Sequence, residues 1–206
     1  MAYLLYFKHM QYQEKKFNLP ALEGISKESV DAHLGLYSGY VKNFNAISAA
    51  IEDILSDPQK NSLAISELRR RHSFEFDGMK LHELYFSQFE DGPKKLDDSS
   101  HLAQALAKHW GSAQAAVDRV RQTGMMRGPG WSILYFNPDN GAFHMGFVGE
   151  QHQGHFVTLP VILALDVWEH AYLLDYGTAG KDKYIDAFFK NLNWSLLEQR
   201  FADSTA

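Results

Sequence analysis

The chain has 206 residues, of which 45% are hydrophobic and 22% charged, the profile of one ordinary globular domain or two small ones. Its net charge of −5 gives no electrostatic case for nucleic acid as a partner, and no apolar run reaches the roughly 20 residues that span a bilayer, so no membrane partner is expected. The absence of cysteine excludes disulfides, thiolate ligands and a cysteine nucleophile; any metal has to be held by His, Asp or Glu, and ten histidines keep that open.

The start, MAYLLYFKHM, places its short apolar run before its first Lys, the reverse of a secretory signal, which points to the cytoplasm. The first ~20 residues have no clear period and read as an irregular arm. A helix is predicted from near Ser26, with Ser26 as cap, Glu28 in the first turn, and apolar positions Val30, Leu34, Tyr37, Val41, Phe44, Ile47, Ile51 and Ile54 three or four apart. SDPQ at 56–59 ends it. A second helix is predicted over 63–89, broken or kinked at the DG of 77–78. The two form a helical hairpin. EDGPKK at 90–95 marks a boundary between residues 1–93, the hairpin with its arm, and residues 94–206.

Beyond it, HLAQALAKHWGSAQAAVDRVRQTG reads as one or two Ala-rich helices. WSILYF at 131–136 and AFHMGFV at 142–148 flank PDNG, a hairpin turn signal, and a third apolar run, FVTLPVILAL at 156–165, completes a small sheet. An amphipathic helix follows over 182–194. The fold class is α+β: a helical hairpin, then a small, mostly antiparallel three-stranded sheet packed with helices.

Proton-exchanging side chains collect where the third strand ends, in DVWEHAYLLDY at 166–176. Asp166 and His170 are four apart, a spacing that suits half of a metal site but more often gives a simple hydrogen bond. His33 shares a helix face with Val30, Tyr37 and Tyr40; His82 shares one with Met79, Tyr85, Phe86 and Phe89. Each alone reads as a core histidine. Two inward histidines on neighbouring helices call for a common cause, and a cation is one. The histidines at 9, 72, 101, 109, 144, 152 and 155 lie at helix ends, on polar faces or in loops, and most read as solvated.

DVWEHAYLLDY resembles the D-x-W-E-H signature of the iron/manganese superoxide dismutases. LPALEGISKESVDAH with YVKNFN resembles the segment around that family's first His ligand, GPGWSILYF its Gly-x-Gly-Trp strand, and NLNW its closing Asn-Trp helix. The resemblance covers most of the chain from about Phe17 onward.

It implies a homodimeric dismutase that converts superoxide to dioxygen and hydrogen peroxide by redox cycling of one Mn or Fe ion, held by His33, His82, Asp166 and His170. Trp131 and Trp168 are implied as aromatic walls. Tyr40 is implied as the tyrosine that gates solvent, one residue closer to His33 than is usual. The glutamine that bonds metal-bound solvent matches Gln151, with His152 as the alternative; Gly78 stands where iron types carry that glutamine, which favours manganese. Glu169 is implied as the link to His170 of a partner subunit. Tyr37 and Leu173 stand where the family usually has His and Tyr, which implies an altered proton route at the interface; Phe86 stands where it usually has Trp. The family's Arg before Pro is absent, and Lys181 stands nearby. Two other readings stay open: a dismutase-like metal-binding protein with low or no activity, in a structural or binding role, or another metal-dependent enzyme on the same scaffold.

Overall fold

Helix α1 spans Lys27–Ile54, and its start follows from Ser26. The Ser26 backbone is extended, and its hydroxyl accepts the Ser29 N–H at 3.1 Å, satisfying one of the amides that a helix start leaves unpaired. The structure, a computed structural model, describes residues 11–205. His33, Tyr37 and Val41, four apart, form a buried stripe on α1. Helix α2, Ser62–Ser87, runs antiparallel in sequence order after a short turn and buries Phe74, Met79, His82, Tyr85 and Phe86.

The expected break at Asp77-Gly78 does not occur; α2 continues through it. Gly78 is instead the point where α1 comes closest. A β-carbon there would stand 2.5 Å from Cδ1 of the Tyr40 ring. The glycine serves packing between helices, and tertiary contact overrides its weak helix propensity.

The Ala-rich segment makes two helices, α3 (His101–Trp110) and α4 (Ala113–Gly124), capped by Ser100 and Ser112. Gly111 at φ 88° separates them, a left-handed stop that glycine adopts without strain.

Three strands follow: β1 (Gly130–Asn137), β2 (Ala142–Gly149) and β3 (Val161–Asp166). The order is β2-β1-β3 and both pairings are antiparallel, so the sheet is antiparallel throughout. Asn137 pairs with Ala142 around the predicted turn. The third run starts later than its apolar pattern suggests. Phe156–Pro160 stay outside the strand, with Thr158 at φ 68°. Central β1 is buried on both faces through Phe136, and Trp131 pairs with Asp166 across the β1–β3 ladder.

A 3-10 turn, Glu169–Ala171, and a short helix α5, Leu173–Tyr176, leave the end of β3. Helix α6, Lys181–Asn191, stops three residues short of the expected 194, and α7 occupies Trp194–Thr205. The stop has a cause: Asn193 gives its N–H to the Gln88 carbonyl and its side-chain amide to Glu90, both at 2.9 Å.

Gln88 and Arg200 tie α2 to β3. Gln88 both donates to the Ala164 carbonyl and accepts the Ala164 N–H, each at 2.8 Å, as a neighbouring strand would. Arg200 donates to the carbonyls of Leu84 and Ile162. These bonds fix the helix carrying His82 against the strand ending in Asp166. Among the described residues, no helix is long and apolar enough to cross a membrane.

Candidate metal centre

Four side chains from separate elements converge at the end of β3: His33 from α1, His82 from α2, Asp166 from β3 and His170 from the 3-10 turn. One ligand atom from each lies within 4.8 Å of all the others. Asp166 Oδ2 is the common neighbour, 3.2 Å from His33 Nε2, 3.1 Å from His170 Nε2 and 3.8 Å from His82 Nε2. Its other oxygen accepts the Trp168 N–H at 2.8 Å, which aims Oδ2 at the three imidazoles.

His82 is the most telling of the four. It is fully buried, and its Nδ1 donates to the Gly78 carbonyl at 2.6 Å, so the neutral ring carries its proton there. Nε2 is then a bare lone pair, buried and without a hydrogen-bond partner among the described residues, pointed at the cluster. An unpaired polar atom in such a place is costly. The arrangement suits a cation with imidazole and carboxylate ligands, with the second nitrogen held by a backbone carbonyl, as metal-binding histidines usually are.

Burial lowers the pKa of His82 to about 3, with help from His33, and lowers that of His33 in the same sense, so both rings stay neutral. For Asp166, burial acts to raise the pKa. The close approach of His170 and the hydrogen bonds given by His170 and His33 outweigh it and hold the carboxyl well below the usual range. An anion beside the neutral rings of His33 and His82 is a donor set ready for a positive ion.

The wall is aromatic. Phe86 and Tyr85 stand 5.0 and 4.9 Å from the His33 ring, Trp131 stands 5.2 Å from His82, and Trp168 stacks on His170 at 5.8 Å. Trp168 is anchored by its indole N–H on the Glu150 carbonyl.

Tyr40 lies 4.9 Å from the His82 ring. Gln151 is fully buried, and its orientation is set by Trp131, whose indole can only donate. Gln151 Oε1 accepts that N–H at 2.8 Å, and Nε2 donates to the Tyr40 oxygen at 2.9 Å. Burial, followed by the nearby Asp166 charge, raises the pKa of Tyr40, so its hydroxyl keeps its proton. His152 is not part of this chain; it packs on Phe74, 4.0 Å from Glu150.

Tyr37 does not join it either. Its hydroxyl accepts the Lys15 N–H at 2.8 Å and faces Glu83 at 3.5 Å. Buried Glu83, missed in the sequence, takes ion pairs from Lys15 and Lys80. Also missed was the pair Tyr85 and Tyr184, whose hydroxyls meet at 3.1 Å behind His33. Tyr85 sat on the predicted inward face; nothing local marked Glu83. Glu169 and Leu173 are exposed, and Lys181 donates to the Met126 carbonyl.

Comparison with known proteins points to one family. The family model described as iron/manganese superoxide dismutases, C-terminal domain, matches residues 98–200. A protein of Saccharolobus solfataricus named superoxide dismutase [Fe] is 31% identical, over 93% of this chain and 96% of its own. One from Aquifex pyrophilus with the same name is also 31% identical, over 87% and 85%. A mitochondrial superoxide dismutase [Mn] of Glossina morsitans morsitans is 29% identical, over 88% and 83%.

Proposed function

From two premises, that the chain belongs to the iron/manganese superoxide dismutase family and that four ligands converge in its core, we infer a superoxide dismutase. It is an oxidoreductase acting on superoxide with a Mn or Fe ion, and His33, His82, Asp166 and His170 would hold that ion. The single observation that carries the reading is the bare, buried Nε2 of His82.

The bound ion supplies reversible one-electron chemistry, through which two superoxide ions and two protons become dioxygen and hydrogen peroxide. The chain supplies the rest. Asp166 places one negative charge among three neutral imidazoles and so sets the charge of the loaded centre. Trp131, Trp168, Phe86 and Tyr85 exclude bulk water and sharpen the electrostatics inside. Gln151 donates to Tyr40, which leaves the Tyr40 hydroxyl proton free to be given into the site. In this reading Tyr40 and Gln151 hold the proton position nearest the ligands, and Gln151 rather than His152 is the solvent-facing amide.

Manganese over iron is part of the proposal. It is supported by Gly78, where Tyr40 leaves no room for a side chain, and by Gln151 arriving from the loop after β2. A homodimer is proposed as well, with Glu169 reaching the partner; exposed Glu169 adjoins His170, and Leu173 and Leu174 are 40% and 59% exposed close by. The division at residue 93/94, with the site between the halves, is supported by two ligands coming from each side. Cytoplasmic placement completes the proposal.

A second reading, a metal-binding relative with reduced turnover, is favoured by Tyr37, whose hydroxyl is spent on Lys15 and Glu83 and not on the Tyr40–Gln151 chain. The test is to purify the protein, measure its metal by elemental analysis and assay dismutation with Mn and with Fe. Activity with bound metal is expected. Full metallation with no activity in either form overturns the dismutase reading in favour of the second. Unchanged metal binding in His170→Ala overturns the ligand assignment.

A further inference from the structure

Gln151 is carried into the site by a tight loop. Gly149 and Gln153 close it by exchanging backbone bonds of 2.8 and 3.1 Å, and between them Glu150 has φ 52°, a left-handed conformation uncommon outside glycine. The side chain of Gln151 is held by Trp131 and Tyr40. Its backbone carbonyl is held by a different residue, His155, whose Nε2 lies 3.1 Å away. On the other side of the ring, His155 Nδ1 lies 2.8 Å from the hydroxyl of Tyr135, a buried residue of β1.

Proton positions follow from the partners. A carbonyl only accepts, so the ring proton is on Nε2. With Nε2 protonated, Nδ1 can only accept, so the Tyr135 hydroxyl gives its proton to Nδ1. The relay is therefore Tyr135 O–H to His155 to the Gln151 carbonyl, with each group used once. Half-buried Asp77 and His152 lie to its side, and among the described residues neither hydrogen-bonds to it.

Strand β1 thus grips Gln151 twice, four residues apart: directly through Trp131 and, through His155, from Tyr135. We propose that His155 is the positioning residue that orients the Gln151 carboxamide toward Tyr40. Without it the buried carbonyl and the Tyr135 hydroxyl lose their partners, a penalty the loop can relieve only by rotating, which swings the carboxamide off Tyr40. His155 touches neither the ligands nor the reacting atoms; it acts through Gln151. The inference rests on the dismutase reading for its functional meaning.

Two substitutions test it in the full-length, Mn-loaded protein. His155→Phe keeps a ring and removes both nitrogens. His155→Gln restores an acceptor for Tyr135 and an N–H for Gln151. The midpoint reduction potential, metal content, thermal midpoint and dismutation rate are measured beside those of Gln151→Ala. The expected result is that H155F keeps its metal, shifts the potential in the same direction as Gln151→Ala, and loses about 10-fold in rate, the usual cost of an outer-sphere partner, while H155Q restores most of both. An unchanged potential in H155F, or a shift that H155Q fails to restore, overturns the proposal. If H155F does not fold, His155→Ala takes its place in the same comparison. Failure of the dismutase reading looks different: the unsubstituted loaded protein then has no turnover, while its potential still reports whether His155 governs Gln151.

Discussion

Tyr40 and Gly78 touch across the helical hairpin so closely that a β-carbon on Gly78 would stand 2.5 Å from the Tyr40 ring. In an ordinary helix interior, Gly→Ala stabilises by about 0.5–1 kcal/mol. Here the sign reverses. Gly78→Ala is expected to cost about 1–3 kcal/mol through overpacking and, by displacing Tyr40 from Gln151, to lower turnover more than metal content. Gly35 on α1 has nothing within 4 Å of a β-carbon, so Gly35→Ala is the control and is expected to stabilise. Urea denaturation of both variants checks the pair; a stabilised Gly78→Ala would sink the packing account.

The ligand set predicts a graded response to substitution. His82→Ala and Asp166→Asn each remove a group aimed at the centre, and elemental analysis is expected to show a loss beyond the roughly 10–100-fold affinity cost of outer-sphere partners. Asp166→Asn has a second effect. It leaves His33 and His170 facing a neutral amide, so the metal-free protein loses the charged hydrogen bonds seen at 3.2 and 3.1 Å. Its denaturation midpoint at pH 7 is expected to fall. His82→Ala instead removes an unpaired buried nitrogen while opening a cavity, two effects of opposite sign.

Acid is expected to destabilise the metal-free protein in two stages. His82 titrates at about 3 when folded and near 6.5 when unfolded, so between those values the unfolded chain binds more protons. The stability that depends on neutral His82 is present above pH 6.5 and is lost progressively towards pH 3. His33 acts in the same sense. Asp166, held low by its histidines, contributes above about pH 4 and is lost as its carboxyl protonates below that. Chemical denaturation from pH 7.5 to 4.5 measures the first stage, and a flat midpoint across that range contradicts it. The loaded protein is expected to release metal as the pH falls, because protons compete for the same nitrogens.

The arm makes a prediction of its own. Tyr37→Phe removes the oxygen that accepts the Lys15 N–H and faces Glu83. A cost of about 1 kcal/mol is expected, together with faster hydrogen exchange of the Lys15 amide. Metal content is expected to stay the same, because Tyr37 is not one of the four converging residues and its hydroxyl points to Lys15 and Glu83. Exchange rates by NMR or mass spectrometry decide it, and a Lys15 amide as protected as before would show the arm to be held by its other contacts, among them Tyr12 with Asn45, Lys15 with Glu83 and Phe17 with Phe86.

These contacts also show what a single sequence carries. The capped start of α1 and the hairpin turn were legible from local chemistry, a capping serine and a PDNG turn. That His33, His82, Asp166 and His170 belong together came from the family resemblance, because the spacing of Asp166 and His170 alone is a weak signal and each inward histidine alone reads as a core residue. The features that were not legible depend on what a distant residue does. Asp77-Gly78 looks like a break until Tyr40 is seen to occupy the missing side-chain volume. The amphipathic pattern over 182–194 does not show that Gln88 and Glu90 will claim Asn193 and end α6. Phe156 to Pro160 look strand-like, yet they form the loop that brings His155 under Gln151. His155 itself reads as one more loop histidine, since neither Tyr135 nor Gln151 is its sequence neighbour.

The clamp between α2 and β3 has a consequence for the chain during its synthesis. His33 and His82 are made early, and Asp166 and His170 roughly 80 residues later. Arg200, which holds Leu84 and Ile162 together, comes later still. The hairpin with its two histidines therefore exists before the carboxylate and the third imidazole can meet it, and the centre can take its ion with all four ligands only once β3 and the turn after it have joined the hairpin.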